Sequence, residues 1–220
     1  DTMVKNIIFD LGGVVIHLQP DEAMHRFEAL GITDARQQMS IFGQTGIFGQ
    51  VEKGEITTDE FCRLLALEAQ QNGGKFPEVD NPSYTYEEAK WAWMGSVKAV
   101  PQKNLEALLR LQKQYDLYLL SNLNPFLQQW AESDAFNGDG HGLRHYIPNL
   151  YYSFQLRDYK PAPSMFRRML DAAGLRAEHC VFVDDSPRNI EGCEAVGMRG
   201  LLVGKDEDWI APLDDLLNRL

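Results

Sequence analysis

The chain has 220 residues, 44% of them apolar and 24% charged, with a formal net charge of −11. That length buries a full core without covalent staples and suits one catalytic domain carrying an inserted or appended subdomain. The acidic balance argues against nucleic acid or an anionic membrane as main partner, since both need basic surface, and no run of ~18 apolar residues offers a membrane span.

In chain order, "VKNIIFD" reads as a buried strand that closes on a carboxylate, Asp10, and is followed by Gly12 and Gly13. A carboxylate ending a buried strand is costly unless paired or metal-bound, which marks it for chemistry. From about 18 to 98 the pattern turns helical, in "DEAMHRFEAL", "TTDEFCRLLALEAQQ" and "TYEEAKWAWMGSV", with no convincing strand between them and a loose Gly/Pro/Asn-rich link, "QQNGGKFPEVDNPS". A second strand, "YDLYLLSN", runs to Ser121, and a helix is expected over 125–133 after Pro125. A long loop, 134–148, leads to a further strand candidate, "NLYYSF". A helix over 163–173 stops at Gly174, "CVFVDD" closes on Asp185, a helix over 186–196 stops at Gly197, and "RGLLVG" makes the last strand. Strand followed by helix, repeated, predicts an α/β fold: a Rossmann-like, doubly wound parallel sheet from 1–17 and 99–220, with an inserted α-helical cap at 18–98.

Within the cap, "WAWMG" (91–95), Phe61, Leu64, Leu65 and Leu67 read as its own core, while Phe42, Phe48 and Tyr159 suit either core or chamber wall. Cys62, Cys180 and Cys193 show no CxxC spacing and read as small buried fillers, so neither a disulfide framework nor a zinc site is expected. With no secretory-type apolar core in "DTMVKNIIFD", a reducing cytoplasm is the expected location. Nothing in the residues speaks for one oligomeric state.

In open α/β sheets ligands bind beyond the carboxyl ends of the strands. Three strand ends carry polar groups, Asp10, Ser121-Asn122 and Asp184-Asp185, and Lys160 sits before a helix in "RDYKPAP". This inventory suits phosphoryl transfer through an aspartyl-phosphate: a carboxylate attacks phosphorus, and a cation relieves its repulsion from the phosphate. Magnesium fits, taking an all-oxygen shell with Asp10 and Asp185 as ligands, while Ser121, Asn122 and Lys160 donate to the equatorial oxygens. The bland alternatives are an Asp10 that only caps a turn, an Asp185 that caps the next helix, a Ser121 that satisfies its strand end and a solvated Lys160.

With "FDLGGVV", "LLSN", Lys160-Pro161 and "VFVDDSPRNIEGCEAVGM" in this order, the chain resembles the haloacid dehalogenase (HAD) superfamily over nearly its whole length. The resemblance implies Asp10 as nucleophile and magnesium ligand, the carbonyl of Gly12 and Asp185 as further ligands, and Lys160 as phosphate clamp. Asp184 would orient Lys160 or a metal-bound water, and Asn189 would support the loop. Most phosphatases of this superfamily carry a second Asp two residues after the nucleophile as general acid and base, where this chain has Gly12. A positioned acid-base group is worth ~10²–10⁴-fold, so its loss should slow or narrow the enzyme. His17 is a substitute acid on one reading and a structural histidine on the other. The segment "EKGEITTDEF" (52–61) is similar to the cap of sugar-1-phosphate phosphatases, which points to glucose-1-phosphate-like substrates and to Gly12 selecting anomeric or enol phosphates. The expected activity is a magnesium-dependent phosphatase for a small phosphorylated metabolite, with a cap whose motion opens and closes the site. A metal-independent dehalogenase would want a neutral residue pair in place of Asp184-Asp185, and a retired enzyme serving as a binding module would have no need of Asp10, Lys160 and Asp185 together.

Overall fold

A computed structural model of the chain describes residues 3–40 and 43–220. The elements run β1 (Asn6–Phe9), β2 (His17–Leu18), α1 (Pro20–Ala29), α2 (Ala35–Gln38), β3 (Met39–Ser40), β4 (Gly43–Gln44), α3 (Gly46–Glu52), α4 (Thr58–Gln71), α5 (Tyr86–Met94), β5 (Val97–Ala99) and α6 (Gln102–Leu111). They continue with β6 (Asp116–Ser121), α7 (Pro125–Ala131), α8 (Leu143–Tyr146), β7 (Asn149–Tyr152), α9 (Ser153–Leu156), α10 (Pro163–Ala173), β8 (Cys180–Asp184), α11 (Pro187–Glu194), β9 (Arg199–Leu202) and α12 (Ile210–Arg219).

The main sheet has five parallel strands in the order β7-β6-β1-β8-β9. β1 is buried along its whole length because it lies mid-sheet with strands on both edges and helices on both faces, which is why it reads as an uninterrupted apolar run. The chain builds outward from β1 through β6 to β7 and then crosses back to lay β8 on the other side of β1. The strand order therefore reverses beside β1, the place where such sheets open a ligand crevice. Phe9 is level with Val183 of β8 and with Leu119 of β6, so the residues that follow these three strands emerge side by side.

The sheet is the expected doubly wound α/β architecture, and "NLYYSF" does contribute a strand, β7, before turning into the short α9. Two amphipathic helices unnamed in the sequence reading, α6 and α12, also cover the sheet. The 18–98 segment contributes nothing to the main sheet. It is helical as expected, with α4 and α5 each opened by a capping box, Thr57 with Glu60 and Thr85 with Glu88. It is not strand-free: β3 and β4 form a small hairpin, and β2 pairs antiparallel with β5 where the segment leaves and rejoins the rest of the chain.

Inside this segment Phe27, Phe48, Phe61 and Trp93 form an aromatic cluster with centroids 4.8–6.3 Å apart, edge-on except for the tilted Phe61–Trp93 pair. Phe48 is thus core and not a chamber wall. Two of the expected core residues face outward, Trp91 at 47% exposure under the Arg26 guanidinium and Leu67 at 40%, because their helical positions fall on the face turned from the cluster. One apolar cluster runs on from the segment into the sheet, through Phe61 and Tyr86 packed on Phe126 of α7. Phe42 lies outside the described residues. Among those described, no helix is long and apolar enough to cross a membrane.

Candidate active site

Asp10 follows β1, Ser121 ends β6, and Asp184 ends β8 with Asp185 next to it. The Asp10 amide continues the ladder by donating to the Val183 carbonyl at 3.0 Å, which sets Asp10 beside the acidic pair. Oxygens of Asp10, Asp184 and Asp185 all lie within 4.8 Å of one another. Positions 174 residues apart in sequence thereby form one cluster of hard oxygen donors.

Lys160 reaches into it from the loop before α10, buried to 3% exposure, its peptide bond to Pro161 cis. Its Nζ donates to Asp10 Oδ1 at 2.9 Å, to the Leu120 carbonyl at 2.9 Å and to Asp184 Oδ2 at 3.1 Å. Three acceptors use all three ammonium hydrogens, so the buried charge is fully satisfied and its direction fixed. Burial alone would lower the lysine's pKa, but Asp10 and Asp184 outweigh it and hold the ammonium above its usual value.

The carboxylates are the strained partners. Burial first, then Asp184 and Asp185, push Asp10 up to about 8 in spite of Lys160. Asp185 is pushed up to about 6 by burial and by Asp184. Three clustered carboxylates face a single ammonium, so the site is short of positive charge. An all-oxygen donor set with unbalanced negative charge fits magnesium, with Asp10 and Asp185 as the side chains placed to hold it.

Asp184 is otherwise occupied. Besides Lys160 it accepts from the Ser186 amide at 2.9 Å and from the Asn189 side chain at 3.1 Å, so it orients the lysine while Asn189 braces the loop. The Asn122 side chain is bound to the main chain of Lys160. Its side-chain carbonyl accepts from the Lys160 amide at 2.9 Å and its amide donates to the Lys160 carbonyl at 3.0 Å, a two-point clamp on the lysine's main chain. Ser121 lies buried at the end of β6, one residue beyond the position level with Asp10.

The two glycines have separate reasons. Gly13 has φ +84°, and a Cβ there would sit 2.5 Å from Asp185 Oδ2, so the acid packs directly on the glycine's bare α-carbon. A Cβ on Gly12 would overlap a methyl of Leu18, whose Cγ would be 3.0 Å away. The room for a side chain at position 12 is therefore taken by an isobutyl group. His17 lies half-buried in β2 opposite Ala99, and among the described residues no hydrogen bond ties its ring to Asp10, Lys160 or the acidic pair.

A residue the sequence reading passed over stands close by. Glu52, at the end of α3, is 4% exposed and meets Tyr159, the neighbour of Lys160, at 2.7 Å. Beside it opens a cavity of about 630 Å³ whose lining sets the basic Lys53, Arg157, Lys160 and Arg188 against the acidic Glu55 and Asp158.

A family model described as haloacid dehalogenase-like hydrolase matches residues 4–197. The chain is 36% identical over 216 residues to a protein of Bacteroides thetaiotaomicron named D-ribitol-5-phosphate phosphatase, covering 98% of this chain and all of that one. Among solved structures, a predicted HAD-like family hydrolase from Porphyromonas gingivalis superposes with a TM-score of 0.87 at 30% identity, over 98% of each chain. A HAD-family enzyme of Bacteroides thetaiotaomicron, solved in complex with magnesium and inorganic phosphate, superposes with a TM-score of 0.79 at 29% identity, over 95% of this chain and 98% of that one.

Proposed function

The chain belongs to the haloacid dehalogenase-like hydrolase family, and within it we propose a magnesium-dependent phosphatase acting on a small phosphorylated sugar or polyol. The observation that carries this reading is the meeting of Asp10 with Asp184, Asp185 and Lys160. Asp10 Oδ1 is held by the Leu11 amide at 2.9 Å and by Lys160, which leaves Oδ2 to attack phosphorus. The bond from phosphorus to the ester oxygen breaks, the departing alkoxide takes a proton from solvent water, and the phosphoryl group rests on Asp10. Water then cleaves the acyl phosphate, releasing inorganic phosphate and restoring the carboxylate. Bound magnesium would neutralise the repulsion between phosphate and carboxylates. Lys160, fixed by Asn122 and Asp184, and Ser121 would donate to the phosphoryl oxygens. The helical segment 18–98 would serve as a cap that excludes water while the aspartyl-phosphate forms.

The acidic pair beside Asp10 disfavours the metal-free dehalogenase, since two extra carboxylates there only hinder a reaction that lacks a cation. The relative named for a polyol phosphate supports that substrate class, with anomeric sugar phosphates kept as a second arm of the test. The test is phosphate release from ribitol 5-phosphate, glucose 1-phosphate and other sugar phosphates, with magnesium and with excess chelator. Magnesium-dependent release from one or more is the expected result. Turnover that survives chelation, or none with any ester, removes the reading, and a sole preference for anomeric phosphates moves it back to the sugar-1-phosphate class.

A further inference from the structure

Glu52 closes α3 with a carboxylate that is buried and meets no cation among the described residues. Its Oε1 accepts from the Tyr159 hydroxyl at 2.7 Å and its Oε2 from the Asn124 amide at 3.4 Å. Tyr159 immediately precedes Lys160. Asn124 closes the turn that begins at Ser121 and caps α7, accepting from the Leu127 amide at 3.0 Å. One side chain of the helical segment therefore grips both loops of the site, the one that presents Lys160 and the one that presents Ser121.

The surrounding corner is seated on the same loop. Arg157 donates to the Gly54 carbonyl at 3.0 Å, the Lys53 ammonium lies 5.6 Å from the centre of the Tyr159 ring, and Gly54, at φ +72°, packs its bare α-carbon on the Phe154 carbonyl. Beyond these the groups facing Glu52 are the phenol and the amide, both neutral donors. Burying a lone carboxylate against neutral donors is a poor way to add stability, because an apolar residue of equal volume does as well without the desolvation cost. A carboxylate is the side chain that accepts from two donors at once through two separate oxygens, whereas a glutamine would turn an amide nitrogen toward one of them.

We propose that Glu52 is a positioning residue of this phosphatase: by holding Tyr159 and Asn124 it sets the Lys160 and Ser121 loops, so the phosphate-binding geometry is complete only while the helical segment is seated on the sheet domain. The inference rests on the phosphatase reading above and deepens it. Small displacements of such loops are expensive, since a misplacement of ~1 Å costs up to ~10²-fold in rate.

The experiment compares E52Q, Y159F and the double variant in the full-length protein with magnesium. It reads kcat and KM for p-nitrophenyl phosphate, thermal midpoint, and amide hydrogen exchange over 121–124 and 157–162. Each single variant is expected to lose up to ~10²-fold, more in kcat than in KM, with the midpoint not lowered and exchange faster in both loops. The double variant should be no worse than the poorer single, because both act on the same Tyr159–Glu52–Asn124 network. Wild-type kcat in E52Q, losses that multiply in the double variant, or faster exchange confined to α3 would each overturn the proposal. If E52Q fails to fold, Y159F, which deletes one oxygen, carries the test. If the unaltered protein releases no phosphate, the phosphatase reading falls, and the exchange measurement still decides whether Glu52 orders the two loops.

Discussion

Asp10 and Glu52 are two carboxylates for which burial is the largest influence, and both are pushed up, Asp10 to about 8 and Glu52 to about 7. Their neighbours differ. Asp10 shares its pocket with two more acids and an ammonium, while Glu52 has a phenol and an amide and, among the described residues, no charged partner. The first environment concentrates unbalanced negative charge at the end of the sheet, a condition a divalent cation relieves. The second isolates a single acceptor and spends it on geometry. Burial alone does not distinguish a chemical carboxylate from a positioning one; the charges around it do.

The sharpest way to test that contrast is D10N. The amide keeps the volume and still accepts from Lys160, but it cannot attack phosphorus. We expect kcat to fall by roughly 10⁴- to 10⁶-fold with folding intact, measured by phosphate release and thermal midpoint. Full turnover by D10N would contradict the nucleophile assignment.

Metal dependence separates the two environments next. D185N should raise the magnesium concentration for half-maximal rate by roughly 10- to 100-fold, the scale seen even for residues that only support metal ligands. E52Q should leave that concentration where it is. Equal effects of the two substitutions in a magnesium titration would erase the distinction.

Removing the cation from the first environment tests its electrostatics directly. K160M leaves Asp10 and Asp184 without their ammonium and should destabilise the protein by about 3–5 kcal/mol in urea unfolding without magnesium, less with it. A cost below ~1 kcal/mol would mean the three acids are solvated well enough to need no partner.

The smallest expected effect belongs to Glu52 and pH. Its folded pKa lies above its ordinary value of 4.5, so the folded state holds a proton that the unfolded chain has already released. Its contribution to stability is therefore greatest below about pH 4.5, declines as pH rises to about 7 and is level above that, a span of roughly 3 kcal/mol. The step should persist at saturating magnesium and vanish in E52Q, read as thermal midpoint against pH.

Much of the first environment was legible before any coordinates, because strand ends carry local marks. An apolar run halted by Asp10, another by Asp184-Asp185, and Lys160 before a proline-opened helix each announce themselves within a few residues. The second was not. Glu52 lies in "EKGEITTDEF", a stretch noted for its likeness to caps, yet its importance comes from Tyr159, 107 positions away. Asn122 was found, but composition places an amide near phosphate without saying that both ends of its side chain are taken by the Lys160 main chain. Trp91 and Leu67 failed for a related reason: apolarity names a residue fit for a core, and only helix rotation decides whether it enters one.

Leu18 couples position 12 to position 18. Any attempt to graft an acidic group onto Gly12 meets an occupied space, so the new side chain and the isobutyl group would compete for one volume and strain β2 as well. Installing a proton donor beside Asp10 therefore asks the δ-methyls of the half-buried Leu18 to swing aside, and a smaller residue at position 18 would ease the step.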